Sequence, residues 1–343
     1  MFNPKVSVVI CCYNVEKEIV RSLLSLQSQT YKDFEIIIVD DGSKDYTYKV
    51  ISNFSDPRII LHKNKANMGL TKSLIYAIDK LAKGEFIVRL DAGDVCHPNR
   101  IEKQLSFFKE NHGYVVVGSK GVAVRDIDGD ILGIQRHPVD DAGIRTDMFE
   151  YARSAFVHSS VMFRRDAYEK VGGYNAIFFV AQDFDLWLRM LQIGKGANLP
   201  GIWVDYYISD GISFRKKTIQ NAMGKVAWEC AHLRKKYGND AADEYLITKI
   251  NEIGSYQAHL KQKNRTLEEA CFRVAFLHGN KAAMYKWLKK MRKKQVTLNI
   301  LSFVFPLVPS FVITLFSKGS LKLMKAFNIG PFGRCHGSLG AAR

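Results

Sequence analysis

The N-terminal half of the chain alternates short apolar runs with amphipathic segments, and this alternation limits the folds that it can adopt. The runs KVSVVICC (5–12) and FEIIIVD (34–40) are apolar nearly throughout, as expected of strands covered on both faces. Between them, apolar residues recur at helical spacing over 19–26. The same alternation continues in RIILHK (58–63), NMGLTKSLIYAIDKLAKG (67–84) and EFIVRLD (85–91). The sequence therefore predicts an α/β fold with helices packed on both faces of a sheet.

Three polar or small residues mark expected helix boundaries. Asn14 is suited to be the N-cap of the first helix, and Ser43 the N-cap of the second. Gly84 follows the helical pattern at 67–84 and is expected to end that helix.

The middle of the chain predicts antiparallel strands and two short helices. Apolar alternation on both sides of Asp128-Gly129 predicts a β-hairpin. The segment SAFVHSSVMFRRDAYEKVGGYN predicts a strand and then a helix that ends at Gly172-Gly173. DFDLWLRMLQIG (183–194) predicts a further helix, and the chain becomes helical and basic after about residue 218.

Carboxylates follow several predicted strands, at the sheet edge where open α/β proteins bind ligands. They are Asp41, Asp91, Asp94 and Asp183. The first strand runs into CCYN rather than G-x-G-x-x-G, and the chain lacks G-x-x-x-x-G-K-[ST], which disfavours a dinucleotide site and a P-loop. Clustered carboxylates would repel a diphosphate unless a divalent cation lay between them, and oxygen ligands suit Mg²⁺ or Mn²⁺. Ala92 and Gly93 are small enough to let such a ligand approach the backbone.

Positive charge is concentrated in the last third of the chain. Residues 1–215 contain 27 Lys/Arg and 27 Asp/Glu, whereas residues 216–343 contain 23 and 7, so the whole net charge of +16 lies there. Such a region faces an anionic partner, which is a membrane surface, a nucleic acid or a phosphorylated substrate. Zinc-ligand spacing and RNA-binding motifs are absent from residues 216–295, which disfavours nucleic acid.

A basic segment followed by an apolar one favours the membrane. YKWLKKMRKK (285–294) precedes 23 uncharged residues (295–317), while a span needs roughly 20 apolar residues. Pro306 and Pro309 would each remove a helical hydrogen bond, which predicts a re-entrant or interfacial segment rather than a straight span. A helical hairpin in the core or a dimer interface is the alternative. We expect a membrane contact through 285–325 at the cytoplasmic face of the cell membrane.

Six segments together resemble family 2 glycosyltransferases of the GT-A fold, across roughly residues 4–215. They occur in the family's order: VSVVICCYN, LLSLQSQTYKDFEIIIVDDGSKD, NMGLTKSLIYAI, GEFIVRLDAGDVCHPNRIEKQ, HSSVMFRRDAYEKVGGY and AQDFDLWLRM. The resemblance implies a nucleotide-diphosphate sugar donor, for which a UDP-sugar is expected, a divalent metal, and transfer with inversion at the anomeric carbon.

The resemblance also assigns roles to individual residues on the donor side. Tyr13 and Asp41 match positions that hold the nucleotide, and Asp91 to Asp94 match the D-x-D region, with Asp91 also expected to contact the donor. Gly93 stands where the family often has a carboxylate, so either Asp91 or Asp94 is the expected metal ligand. Ser213 and Arg215 resemble a loop that closes over the donor phosphates.

On the acceptor side, Asp183 matches the catalytic base. Gln182 stands where the family often has Glu. His158, Gln182 and Trp187 are further candidates for contact with donor or acceptor, although His158 is as well explained as a structural histidine, and Trp187 at helical spacing is better explained as core packing.

The expected domains are a GT-A catalytic domain (1–217), a basic helical extension (218–295), an apolar membrane-associating segment (296–327) and a disordered tail (328–343). The expected acceptor is a lipid-linked saccharide or a polysaccharide. Two other functions stay open: a catalytically idle sugar-nucleotide-binding module, permitted by Gly93 and Gln182, and a sugar-phosphate nucleotidyltransferase.

Overall fold

The computed structural model describes residues 5–208, 217–257, 271 and 274–290. The chain divides into two compact units, Met1–Arg265 and Thr266–Arg343.

A mixed sheet forms the centre of the first unit. Within the described residues it has nine strands in the order β3-β2-β1-β4-β8-β6-β9-β5, with β7 paired to β6. The strands are β1 Val6–Cys12, β2 Phe34–Asp40, β3 Ile59–Lys63, β4 Phe86–Arg89, β5 Val95–Cys96, β6 Tyr114–Arg125, β7 Ile131–Arg136, β8 Met162–Arg164 and β9 Lys195–Tyr207. β3, β2, β1 and β4 are parallel, whereas β8 pairs antiparallel to both β4 and β6. The predicted α/β architecture is confirmed.

Helices cover both faces of this sheet. They are α1 Ile19–Gln27, α2 Thr47–Ser52, α3 Leu70–Tyr76, α4 Arg100–Glu110, α5 Asp141–Arg145, α6 Arg165–Lys170, α7 Gln182–Ile193, α8 Lys217–Tyr237 and α9 Asn239–Gln257. One turn of π-helix extends α3 over Ala77–Leu81. The central strands β1 and β2 are buried at every position, which explains their lack of polar alternation.

The core has two layers, one on each side of the sheet. Cys11 belongs to the layer that contains α7, and Cys12 to the layer beneath α1 and α4. This opposite orientation is the one expected of neighbouring residues on a strand. Both cysteines are buried and free.

The three predicted helix boundaries are wrong, because these residues make contacts between distant segments. α1 begins at Ile19, and Asn14 has a φ of 53° and accepts a hydrogen bond from the Lys44 amide at 2.9 Å. The Ser43 hydroxyl accepts from the Asn14 amide at 2.9 Å, four residues before α2 begins. At Gly84, an added Cβ would lie 2.5 Å from the Ser7 nitrogen, so this glycine permits close packing rather than ending a helix.

Helices α8 and α9 belong to the same compact unit as the sheet. Ile219, Met223 and Cys230 are buried in the layer that contains α7. The Trp228 indole donates to the Phe149 carbonyl at 2.7 Å. The boundary between the two compact units lies at residue 265.

In the second unit, the described residues include helix α10, Lys281–Lys290, whose sequence KAAMYKWLKK is strongly basic. Among the described helices, none is long and apolar enough to cross a membrane. The apolar segment 296–327 and the tail 328–343 lie outside the described residues.

Candidate active site

The loop Asp91–Asp94 connects β4 to β5 and is fixed by hydrogen bonds to two other segments. The Ser22 hydroxyl of α1 accepts from the Gly93 amide at 2.8 Å and donates to the Asp94 carbonyl at 2.7 Å. The Asp91 amide donates to the Ser159 hydroxyl at 2.9 Å. Both carboxylates of the loop are therefore held on a fixed backbone.

Gly93 does not open the backbone to a ligand, contrary to the prediction. Its φ is +101°, a conformation that favours glycine. A Cβ at this position would lie 3.2 Å from Glu18 Cβ and 3.5 Å from a guanidinium nitrogen of Arg21. The small residue is thus required by the backbone and by contact with α1.

Asp94 is buried, and one of its two carboxylate oxygens has no hydrogen-bond partner among the described residues. Its Oδ1 accepts from the Tyr207 amide at 3.0 Å, whereas its Oδ2 has no hydrogen-bond partner among the described residues. Burial raises the pKa of Asp94 to about 8, and the negative charge of Asp91 acts in the same direction. The Ser159 hydroxyl and the charge of Arg21 partly offset this rise in pKa, and a cation beside the carboxylate would favour its charged form further.

The oxygen donors of the loop fit the divalent cation expected from the sequence. Carboxylates are the ligands that Mg²⁺ and Mn²⁺ prefer. Within the described residues, no group of three or more His, Cys, Asp or Glu side chains could hold a metal ion. Asp91 and Asp94 would therefore need water or diphosphate oxygens to complete a coordination shell.

Arg89, which the sequence reasoning missed, lies directly behind Asp91. This arginine of β4 is fully buried. Its Nη1 donates to the carbonyls of Val9 and Leu90, its Nη2 donates to Asp91 Oδ1 at 2.5 Å, and its Nε donates to His158 Nε2 at 3.2 Å. The signal available in the sequence was a charged residue inside the apolar run EFIVRL.

His158 is buried and lies between this arginine and Tyr174. Its Nε2 lies 2.7 Å from the Tyr174 hydroxyl, and its Nδ1 lies 4.0 Å from Asp91 Oδ1. Burial lowers the pKa of His158, and the charge of Arg89 lowers it further. Since the Arg89 Nε always carries a hydrogen, Nε2 is the acceptor, and the proton of the neutral ring is on Nδ1, nearest Asp91.

Asp183 lies in the first turn of α7, after the helix N-cap Ala181, and is therefore not itself the N-cap. Its side chain is partly exposed and forms no hydrogen bond or ion pair with the described residues. The negative charges of Asp91 and Asp183 both act on His158, where they partly offset the lowering of its pKa. Asp91 Oδ1 lies 4.0 Å from His158 Nδ1, and the charge of Asp183 acts on the same imidazole.

The two other candidates on α7 are turned inward. Gln182 is buried, and Trp187 has no exposed surface. The Trp187 ring packs edge-on against Phe156 and Phe163 and lies 6.2 Å from the His158 ring. Trp187 is therefore a core residue, and a direct contact with a ligand is incompatible with its position.

Asp41 and Tyr13 follow the parallel strands β2 and β1 and lie at the same sheet edge. The Asp41 carboxylate is buried and accepts from the amides of Met68 and Gly69 and from the Asn64 side chain, at 2.8 to 2.9 Å. It therefore organises the loop before α3. Tyr13 is 39% exposed, so its ring is accessible to a ligand. Ser213 and Arg215 lie outside the described residues.

Comparisons with known proteins agree on one family. The family model described as "Glycosyl transferase family 2" matches residues 7–172. The "Putative glycosyltransferase EpsE" of Bacillus subtilis (strain 168) is 36% identical over 203 residues, which cover 57% of this chain and 70% of that protein. The "Amylovoran biosynthesis glycosyltransferase AmsE" of Erwinia amylovora is 32% identical over 204 residues, covering 57% of this chain and 73% of that protein.

Two solved structures share the fold at low sequence identity. S. aureus TarS 1–349 in complex with UDP-GlcNAc aligns with a TM-score of 0.54 and 17% identity, covering 79% of this chain and 80% of that one. Mannosyltransferase PcManGT from Pyrobaculum calidifontis, in complex with GDP-Man and Mn²⁺, aligns with a TM-score of 0.50 and 17% identity, covering 82% and 80%. At this identity the likeness shows the fold alone.

Proposed function

This chain belongs to glycosyltransferase family 2, and from that premise we propose that it transfers a sugar from a nucleoside diphosphate donor to an acceptor hydroxyl with inversion. A single displacement of this kind needs a base for the acceptor proton and a means of stabilising the departing diphosphate. It needs no nucleophile from the protein.

The observation that carries the proposal is the position of Asp183. Its carboxylate forms no hydrogen bond or ion pair with the described residues, and its negative charge acts, together with that of Asp91, on the buried His158 imidazole. We assign Asp183 as the base that accepts the proton of the attacking hydroxyl, a role typically worth ~10²- to 10⁴-fold in rate.

On the donor side, we propose that Tyr13 and Asp41 contact the nucleotide and that Asp91 and Asp94 hold Mn²⁺ or Mg²⁺. Such a cation would offset charge on the departing diphosphate by several kcal/mol. The expected donor is a UDP-sugar. The UDP-GlcNAc bound to TarS and the GDP-Man and Mn²⁺ bound to PcManGT support a nucleotide sugar and a divalent cation.

The test is release of nucleoside diphosphate from a panel of UDP- and GDP-sugars with Mn²⁺ or Mg²⁺. Asp183→Asn should lower kcat by ~10²- to 10⁴-fold and leave donor binding nearly unchanged. Asp166→Asn is the matched control, because Asp166 is also the second residue of a helix but is exposed and bonded to the Ala167 amide. Wild-type turnover in Asp183→Asn would contradict the assignment. In a parallel assay with a nucleoside triphosphate and a sugar phosphate, release of diphosphate would identify a nucleotidyltransferase. Release of neither nucleoside diphosphate nor diphosphate would identify an idle binding module.

For the acceptor, we propose a lipid-linked saccharide or a polysaccharide precursor at the cytoplasmic face of the cell membrane. The excess positive charge after residue 216 and the basic-apolar sequence 285–325 support a contact with anionic lipid. Co-flotation with phosphatidylglycerol vesicles but not phosphatidylcholine vesicles tests this location. Full recovery outside the vesicles at low salt would contradict it.

A further inference from the structure

We propose that Arg89 and His158 are positioning residues that hold the Asp91 carboxylate for the donor diphosphate or its cation, and that Tyr174 fixes His158 in this task. The inference rests on the proposed function and assigns to that site three residues that do not themselves contact substrate.

Arg89 is oriented by the backbone, not by Asp91 alone. Its Nη1 donates to the carbonyls of Val9, in the middle of β1, and Leu90, directly after β4, which fixes the plane of the guanidinium. Burying a cation costs free energy of folding unless its hydrogen bonds are made. An apolar residue would fill this position of β4 at a lower cost in free energy. The remaining donors, Nη2 and Nε, are directed to Asp91 and His158. Arg89 is therefore placed to orient one carboxylate and one imidazole.

Asp91 is held on one side and open on the other. Its Oδ1 accepts from Arg89, whereas its Oδ2 makes no hydrogen bond with the described residues. The side chain is 38% exposed. One oxygen is thus fixed by the protein and the other is left for a ligand, which is the arrangement expected of a supported ligand-binding carboxylate.

His158 is fixed from the side away from Asp91. The Tyr174 hydroxyl lies 2.7 Å from Nε2, and the rings of Tyr174 and Trp187 lie 5.9 and 6.2 Å from the imidazole. This packing leaves Nδ1 directed at Asp91 Oδ1, at 4.0 Å. The buried Trp187 therefore supports the site indirectly, although it does not contact a ligand.

The test compares binding in wild type, His158→Ala, His158→Gln and Tyr174→Phe. UDP and GDP, each with Mn²⁺, are titrated by calorimetry, and bound Mn²⁺ is measured by electron paramagnetic resonance. His158→Ala should weaken binding by ~10- to 100-fold. His158→Gln, which keeps an acceptor for Arg89, should restore part of the loss. Tyr174→Phe, which removes one hydroxyl and keeps the ring, should weaken binding by about 2- to 10-fold.

Tyr168→Phe is the control for a lost buried hydroxyl. Tyr168 is also buried, and its hydroxyl donates to Asp79 at 3.1 Å. Its ring packs edge-on against Tyr174 at 5.8 Å, but its hydroxyl makes no hydrogen bond to Arg89 or His158. We expect Tyr168→Phe and Tyr174→Phe to lower the melting temperature to a similar degree, while only Tyr174→Phe weakens nucleotide binding. Equal binding in the two variants would overturn the inference, even if His158→Ala failed to fold.

A double-mutant cycle separates positioning from general packing. If His158 acts through Asp91, His158→Ala should cost no further affinity in the Asp91→Asn background. Additive losses would overturn the inference and leave the proposed function intact. A wild-type protein that binds neither nucleotide with Mn²⁺ and releases no nucleoside diphosphate would overturn the proposed function, and the inference with it.

Discussion

Restoring the carboxylate that the family often has at position 93 should harm this protein. Gly93 has a φ of +101°, so any other residue would be strained there, at a typical cost of about 1–3 kcal/mol. A Cβ would also lie 3.2 Å from Glu18 Cβ, which has to move. For a unit of this size, 1 kcal/mol corresponds to roughly 2–4 °C in melting temperature. Gly93→Asp should therefore lower the melting temperature by about 2–12 °C.

The assay is thermal unfolding by circular dichroism, together with Mn²⁺ binding in the presence of nucleotide. Gly93→Ala adds the same Cβ to the same strained backbone as Gly93→Asp, but adds no charge. It should therefore cause most of the loss in melting temperature. Gly172→Ala separates the cost of backbone strain from the cost of the Cβ contact, because Gly172 has a φ of +79° but nothing within 4 Å of an added Cβ. Gly93→Asp with wild-type stability and tighter Mn²⁺ binding would refute the reasoning, since a side chain at position 93 would then be accessible to the cation.

Three further predictions concern the buried Asp94 carboxylate and helix α8. Mn²⁺ binding should tighten as pH rises from about 6 and level off above about 8, because a cation at Asp94 displaces the proton that burial retains; a flat calorimetric pH profile would contradict it. Since this raised pKa exceeds the unfolded value, the stability from Asp94 is lost as pH rises from about 4 to about 8, and Asp94→Asn should flatten that dependence. Met223→Ala should cost ~2–5 kcal/mol in urea unfolding, whereas Lys225→Ala, on the exposed side of α8, should cost less than ~1 kcal/mol.

The central strands could be predicted because burial on both faces leaves a direct trace in the sequence. β1 and β2 match the apolar runs within one residue, since every side chain in them is buried. Helix starts could not be predicted in the same way. Asn14 and Ser43 have the composition of N-caps, but they bond to each other and to Lys44 across two loops that only the folded sheet brings together.

The candidate site was predictable only in part. Parallel strands end at the same edge, which is why Asp41 and Asp91 could be grouped before the structure was known. Arg89 and Tyr174 could not be assigned to the site from the sequence. In the sequence, Arg89 resembles a solvated charge at a strand end, and Tyr174 resembles a core aromatic residue. Their role depends on hydrogen bonds to His158 at 3.2 and 2.7 Å, which join segments that no local pattern connects.

The two departures from the family pattern bear less on activity than the sequence suggested. Gly93 and Gln182 were the residues that permitted a catalytically idle protein. A side chain at position 93 would face Glu18, the N-cap residue of α1, and Gln182 is buried next to Asp183 on α7. The carboxylates that could act in the candidate site are Asp91, Asp94 and Asp183, and all three are present. Loss of acid at 93 and 182 therefore leaves the proposed base, and the proposed means of holding a cation, unchanged.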